Sequence, residues 1–179
     1  LCLFSERAMA RRRARASVPA YYADALRWLP VMEDPGKYFS TPCVNEIVAL
    51  AEALRIAHAE GLDARFARHA RIARAVRAGL AALGLELFTD ASCRADTLSV
   101  VLLPAGVADA DFRREVAARG VVVAGGLGPI AGKAFRLGHM GNVGPAEVAT
   151  TLTAIEGALA ALGLSVPPGT ALAAAAAQL

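Results

Sequence analysis

The chain has 179 residues, 56% of them hydrophobic and 20% charged, a balance that excludes a disordered or fibrous protein and favours a packed core. Its 19 lysines and arginines against 16 aspartates and glutamates leave a net charge of +3, too small and too dispersed an excess to mark a nucleic-acid binder. Cys2, Cys43 and Cys93 are odd in number and form no CxxC pair, so they read as reduced thiols, buried or free, and not as zinc ligands.

No apolar run reaches the roughly 18 residues a membrane helix needs, and no membrane partner is expected. The expected compartment is the cytoplasm. The chain opens on Leu1-Cys2-Leu3-Phe4, which reads as the end of a strand and, without an initiator methionine, as part of something longer. Ser5 then stands where a helix cap would, ahead of a helix carrying Arg11, Arg12, Arg13 and Arg15. Pro19 and Glu33-Asp34-Pro35-Gly36 bracket an aromatic stretch with Tyr21, Tyr22 and Trp28, expected as loop and short helix.

From Val44 the apolar residues Ile47, Val48, Ala51 and Leu54 follow at helical steps, and Glu60-Gly61 marks a break. A second helix carries Leu62, Phe66, Ile72, Val76, Leu80 and Leu83 and stops at Gly84. Its Arg65, Arg68, Arg71, Arg74 and Arg77 recur every third residue, which drifts them around the helix and predicts a solvated face. Residues 86–89 and 97–102 read as strands, 109–119 as a helix with Phe112 and Val116 inward, and 121–123 and 134–137 as further strands. Val148, Leu152, Ile155, Leu159 and Leu162 define a last amphipathic helix. The alanine run from Ala171 to Ala177 reads as a loosely held tail. Together these predict an α+β unit, with helices on one face of a small, largely antiparallel sheet and a core between about residues 62 and 162.

The glycine-rich segment at residues 125–133 follows a predicted strand and ends in Gly132-Lys133, but it is not a phosphate loop. Leu127 holds the first glycine position of that motif, Ala134 follows the lysine, and a strand comes next where a helix is required. His58 and His69 lack acidic partners at ligand spacing, so they read as packed or half-exposed helix residues, and no metal site is expected. Arg136 sits in an apolar strand between Phe135 and Leu137, with Gly138 and Gly141 beyond. A guanidinium so placed can present its fork to a carboxylate in a cleft, or it can point outward to solvent; the pattern does not choose.

Taken in order, several motifs resemble class V pyridoxal-phosphate aminotransferases of the alanine–glyoxylate, serine–pyruvate and serine–glyoxylate group. They are Phe4-Ser5-Glu6-Arg7-Ala8, Tyr38-Phe39-Ser40-Thr41-Pro42, Glu60-Gly61-Leu62 with Arg68-His69, Gly84-Leu85-Glu86-Leu87-Phe88, Pro104-Ala105-Gly106, Gly125-Gly126-Leu127-Gly128, and Lys133-Ala134-Phe135-Arg136-Leu137-Gly138-His139-Met140-Gly141. The resemblance implies the small C-terminal domain of a fold-type I pyridoxal-phosphate transferase plus the end of its large α/β domain. Residues 1–60 would close the large domain, 61–165 would form the small α+β domain, and 166–179 a tail.

By the same resemblance Arg136 holds the substrate's α-carboxylate. Gly125 and Gly126 lie in a loop near the substrate, where a bare backbone approaches the ligand. Tyr38 and Thr41 donate to the phosphate of the cofactor, pyridoxal 5'-phosphate, bound in the neighbouring subunit of a homodimer. The implied reaction moves an amino group between a small amino acid and glyoxylate or pyruvate. Neither Lys37 nor Lys133 stands at the family's Schiff-base position, which is expected upstream of Leu1, so no catalytic residue is expected within these 179 residues. Isolated, the chain is expected to bind cofactor weakly or not at all and to expose the apolar side of the helix at residues 43–60. The competing readings are a related class V reaction, on an aminophosphonate or ureido amino acid or of lyase type, and a non-catalytic α+β binding or dimerisation module.

Overall fold

The computed structural model describes residues 2–179, and the chain divides into two compact units, one ending at Ile56 and one running from Ala57 to Leu179. Leu1 of the expected opening strand lies outside the described residues. Residues 2–4 are exposed and form no strand, because no described segment offers them a ladder partner.

In the first unit, α1 (Glu6–Arg13) starts where expected. Ser5 accepts a hydrogen bond from the Ala8 N–H at 3.3 Å, and Arg11, Arg12 and Arg13 occupy the last turn, where positive charge favours a helix end. Arg12 clasps Asp24 with two bonds of 2.6 Å, and Asp24 in turn caps α2 (Ala25–Glu33) through the Leu26 N–H. That guanidinium holds the Asp24 carboxyl below its ordinary range. The aromatic stretch gathers around Phe39, whose ring centre lies 4.8 Å from that of Trp28 and 5.6 Å from that of Tyr21, both edge-on. The Trp28 indole N–H donates to the Tyr22 carbonyl at 2.7 Å. The helix α3 (Val44–Glu60) then leads to the second unit, with none of its residues buried.

Near the start of the second unit Gly61, with a φ of +83°, separates α3 from α4 (Leu62–Ala82). The unit continues with β1 (Leu98–Leu102), α5 (Asp109–Ala118), β2 (Ala124–Gly125), β3 (Ala134–Gly138), α6 (Pro145–Ala161) and α7 (Thr170–Ala176). The three strands form an antiparallel sheet in the order β1-β3-β2. Alternation sends Ser99, Val101, Phe135 and Leu137 to the buried face. There they join Ile72, Val76 and Leu80 of α4, Phe112 and Val116 of α5, and Val148, Leu152, Ile155 and Leu159 of α6. Each such large apolar side chain contributes on the order of 1.5–3 kcal/mol through burial. The α+β class holds, with the antiparallel sheet as expected.

Four details differ from the sequence reading. Residues 86–89 are not a full strand: Leu87 makes one bridge to Val101, with the Phe88 N–H bonded to the Val100 carbonyl and the Leu102 N–H to the Glu86 carbonyl. Residues 121–123 carry strand-like side chains but form the connection out of α5; Val122 is 87% exposed, Val123 is buried and Val121 packs half-buried against the core, and the strand begins only at Ala124. Leu62 and Phe66, read as part of the inward stripe, are exposed on the first turns of α4. The alanine run is not a loose tail either. Ala171 and Ala175 are fully buried in α7, and the Glu156 carboxylate of α6 caps its start by accepting from the Gly169 and Ala171 N–H groups at 2.6 and 3.0 Å. Small side chains let this short helix pack closely, a role that low sequence complexity conceals.

Candidate functional site

Arg136 lies on the central strand. Its cross-strand neighbours are Val100 on β1 and Ala124 on β2, so its side chain shares the less buried face of the sheet, opposite the core. It is half-buried, and its Nε–H donates to the Gly125 carbonyl at 2.8 Å. Among the described residues no carboxylate forms an ion pair with it. The guanidinium is therefore tethered at one nitrogen, while its two terminal amino groups carry an uncompensated positive charge. Chemically, such a fork can take the two oxygens of a carboxylate.

Gly125 and Gly126 stand beside this tether. Gly125 supplies the acceptor carbonyl, and a Cβ added to it would lie 3.4 Å from the Asp109 carboxylate. Asp109 belongs to the first turn of α5 and is gripped by Arg113 at 2.8–3.1 Å. A Cβ on Gly126 would stand 2.2 Å from the Ile130 carbonyl oxygen, because the 3-10 turn Gly128–Ile130 folds back onto it. The need for glycine at position 126 thus arises within the loop itself. The Gly126 N–H donates to the Ala134 carbonyl at 2.7 Å, closing the β2–β3 connection. Lys133 is exposed and leads directly into β3, in keeping with the absence of a phosphate loop.

Tyr38 and Thr41 belong to the first unit, in the stretch between the 3-10 turn Pro35–Lys37 and α3. Both side chains are exposed, whereas Phe39 between them is half-buried in the aromatic cluster. Ser40 is half-buried as well, so a phenol and a hydroxyl are left exposed on either side of the anchored pair within one short segment. Both are hydrogen-bond donors of the kind a phosphate group takes, so the residues present fit the phosphate end of pyridoxal phosphate. Lys37 sits 3.9 Å from Asp34, an exposed pair on the same turn.

Two clusters escaped the sequence reading. The arginines of α4 are not uniformly solvated: Arg71 and Arg74 are exposed, but Arg65 and Arg68 both bind Glu60, and Arg77 donates to the Ala95 carbonyl. Arg68 drives the Glu60 carboxyl down to about 2. His69 is buried, with Nδ1 2.7 Å from the Arg65 carbonyl and Nε2 accepting from the Gly141 N–H at 3.1 Å, which places its proton on Nδ1.

His139 is buried beyond the end of β3. Its Nε2 lies 3.0 Å from the Ser99 hydroxyl, and its Nδ1 has no partner among the described residues. Burial first, then the charge of Arg77, lowers its pKa to about 4. The alternation Phe135, Leu137, His139 was the available signal for this inward histidine. Nothing local could reveal the pairing of Arg68 with residues more than 70 positions away.

Among the described residues, no group of three or more histidines, cysteines, aspartates or glutamates could hold a metal ion, and no helix is long and apolar enough to cross a membrane. All three cysteines are exposed and unpaired.

No family model matches the chain. Comparison with individual proteins does find relatives. The chain is 42% identical over 147 residues to an uncharacterized aminotransferase of Methanocaldococcus jannaschii, a match covering 82% of this chain and 38% of that protein. It is 37% identical to the pyridoxamine–pyruvate transaminase of Mesorhizobium japonicum, over 96% of this chain and 44% of that one. The crystal structure of ureidoglycine–glyoxylate aminotransferase from Bacillus subtilis superposes with a TM-score of 0.88 at 30% identity, covering 96% of this chain and 44% of that chain. The chain therefore spans less than half the length of the relatives it matches. With the fold shared over nearly all of its residues, the chain is a homologue of part of the class V aminotransferases, a family of pyridoxal-phosphate enzymes.

Proposed function

We propose that the protein containing this chain transfers an amino group between a small amino acid, alanine or serine, and glyoxylate or pyruvate, and that Arg136 clamps the α-carboxylate of both substrates. Homology to that family supports the reaction class, and relatives named for pyruvate and glyoxylate support the acceptors. The observation that carries the reading is the state of Arg136: half-buried, tethered through Nε to Gly125, and without an acidic partner among the described residues. An arginine held at one nitrogen with its terminal amino groups unpaired leaves its planar fork free to take a ligand carboxylate.

Bound pyridoxal phosphate would supply the electron sink that makes the substrate Cα–H acidic and carries the amino group between the two half-reactions. The residues of this chain bind and orient. The terminal amino groups of Arg136 receive the two carboxylate oxygens in parallel, which fixes the rotation of the substrate about its Cα. The Gly125 carbonyl keeps the guanidinium plane from turning away. Tyr38 and Thr41 would donate to the cofactor phosphate in the neighbouring subunit of a homodimer, where the outward hydroxyl pair of each chain meets its twin's site. In this reading the apolar side of α3 is covered by the rest of the protein or by the second subunit, and the protein works in the cytoplasm.

In the full-length enzyme, Arg136→Ala should raise the KM for the amino donor and lower kcat/KM by about 100-fold, the size of losing a charge-assisted bidentate contact. The absorbance of bound cofactor should stay as in the parent enzyme. An unchanged KM would remove Arg136 from the site.

A further inference from the structure

Outside the Arg136 site, the densest polar cluster of the second unit lies at the elbow between α3 and α4. Glu60 closes α3. Its carboxylate takes both the Nε and Nη2 groups of Arg68, at 2.5 and 2.9 Å, and the Nη1 group of Arg65 at 2.7 Å. The same Arg68 reaches across to the segment after β3, donating through Nη1 to the Val143 carbonyl and through Nη2 to the Gly141 carbonyl, each at 2.9 Å. His69, one residue on, accepts from the Gly141 N–H. Gly141 is thus held at both of its backbone polar groups, and residues 141–143 are fastened to α4 by side chains alone.

The position of that segment gives the cluster its meaning. The strand β2 pairs with β3 only at Phe135 and Arg136, so Arg136 is the last residue of β3 with a strand on either side. Leu137 and Gly138 have β1 alone, and five of the six residues between Gly138 and Pro145, which opens α6, lie beyond the last ladder bond at His139. Upstream, Arg136 is braced by the hydrogen bond to Gly125. Downstream, its brace is the fastening of residues 141–143 to Arg68 and His69. Two carbonyls engaged by an arginine that the Glu60 carboxylate holds in turn, and one N–H engaged by a histidine anchored on the Arg65 carbonyl, make a stiff support, since a bidentate guanidinium–carboxylate pair fixes both position and plane.

We propose that Glu60, Arg68 and His69 form a clasp that positions Arg136 for the substrate carboxylate. Arg68 and Glu60 are positioning residues, touching neither substrate nor cofactor, and the idea rests on the reading of Arg136 as the carboxylate clamp. Loosening the clasp lets the end of β3 shift, so the fork meets the carboxylate at a poorer angle while the chemistry around the cofactor is untouched. The signature is a rise in KM with kcat nearly preserved.

The test is a double-mutant cycle in the full-length enzyme, joining Arg68→Ala to Arg136→Ala, with KM and kcat for the amino donor and Kd for pyruvate by calorimetry. In the parent background Arg68→Ala should raise KM and Kd by about 10-fold and change kcat less than about 2-fold; in the Arg136→Ala background it should add less than about 2-fold. Glu60→Gln, which keeps the shape but loses the charge, should give a smaller rise of about 3-fold, and it serves in place of Arg68→Ala if that variant fails to fold. A full 10-fold effect that multiplies with Arg136→Ala would overturn the clasp and leave the carboxylate reading standing. So would an Arg68→Ala enzyme with unchanged KM, or one that loses kcat alone. An unchanged KM in Arg136→Ala itself would overturn the carboxylate reading and the clasp with it.

Discussion

The two longest consecutive helices teach different things. The helix α4 buries Ile72, Ala73, Ala75, Val76, Gly79 and Leu80 against the sheet side of its own unit, together with His69. The 17-residue α3 just before it carries Val44, Ile47, Val48 and Leu54 at the same helical steps and buries nothing. Apolar periodicity therefore states which side of a helix asks for cover, not whether the cover lies in the chain at hand. For α4 the partners are α6, α7 and β1. For α3 the described residues offer polar contacts instead: the exposed Arg55–Glu52 pair one turn apart at 2.6 Å, and at its last residue the hold of Arg65 and Arg68 on Glu60.

The strongest way to break this contrast is to cut equal side chains from the two helices. Leu80→Ala removes a fully buried side chain from the core and should cost about 2–5 kcal/mol in the unfolding of this chain. Leu54→Ala removes a half-exposed one and should cost less than about 0.5 kcal/mol. Urea titration of both variants measures the difference. Comparable losses would mean that α3 packs within the chain after all.

Most of the fold was legible because its elements state themselves locally. Ser5 marks a helix start, Gly61 and Gly84 mark breaks, and the inward parity of Phe135 and Leu137 sets the central strand. The failures have a common cause. Val121, Val122 and Val123 look like a strand, but strand formation needs a neighbour, and β3 pairs only with the two residues that follow. The alanine run lacks large side chains, so its burial depends on the closeness of α4 and on a cap supplied by Glu156, neither visible locally. At the site, a strand arginine among glycines singled out Arg136. Its tether to Gly125 and the service of Gly126 to its own turn exist only once the loop has folded, and Arg65, Arg68 and Arg77 are engaged from other elements, Arg68 by residues more than 70 positions away, so periodicity misread those three as solvent-facing.

The buried helix should also bring a pH dependence above pH 4.5, where the carboxylates of the exposed one stay ionised. His139, packed beside Arg77 of α4, titrates near 4 in the folded chain instead of at its ordinary value of 6.5. The fold therefore holds the neutral ring, while the unfolded chain takes up the proton as pH falls below 6.5. The stabilisation is complete above 6.5 and is lost progressively down to about 4, with a slope approaching about 1.4 kcal/mol per pH unit. Denaturant titrations from pH 7 to 4.5 should show this slope, and His139→Gln should flatten it. Glu60 acts lower: its carboxyl is held at about 2, so its contribution is present above its ordinary value of 4.5 and lost between there and 2. A parent protein with level stability down to pH 4.5 would refute the neutral, buried state of His139.

The finest division lies within α4 itself, among arginines that periodicity treats as equivalent. Arg77 is half-buried; it donates to the Ala95 carbonyl and lies 3.7 Å from Asp96, and burial lowers its pKa. Removing it as Arg77→Ala strands that carbonyl and opens a gap beside His139, at a cost of about 1 kcal/mol. Arg71 and Arg74 stand in solvent on the same helix, and Arg71→Ala should leave the thermal midpoint within about 1 °C of the parent, since a charge without a partner has nothing to lose. The Arg77→Ala variant should also raise the His139 pKa, because the repulsion that helps keep the ring neutral is gone, so its fall in stability below pH 6.5 should end at a higher pH and be smaller than in the parent. Identical midpoints for the Arg71 and Arg77 variants would show that the guanidinium of residue 77 is as free as its neighbours, and that a spacing of three residues had described the helix correctly.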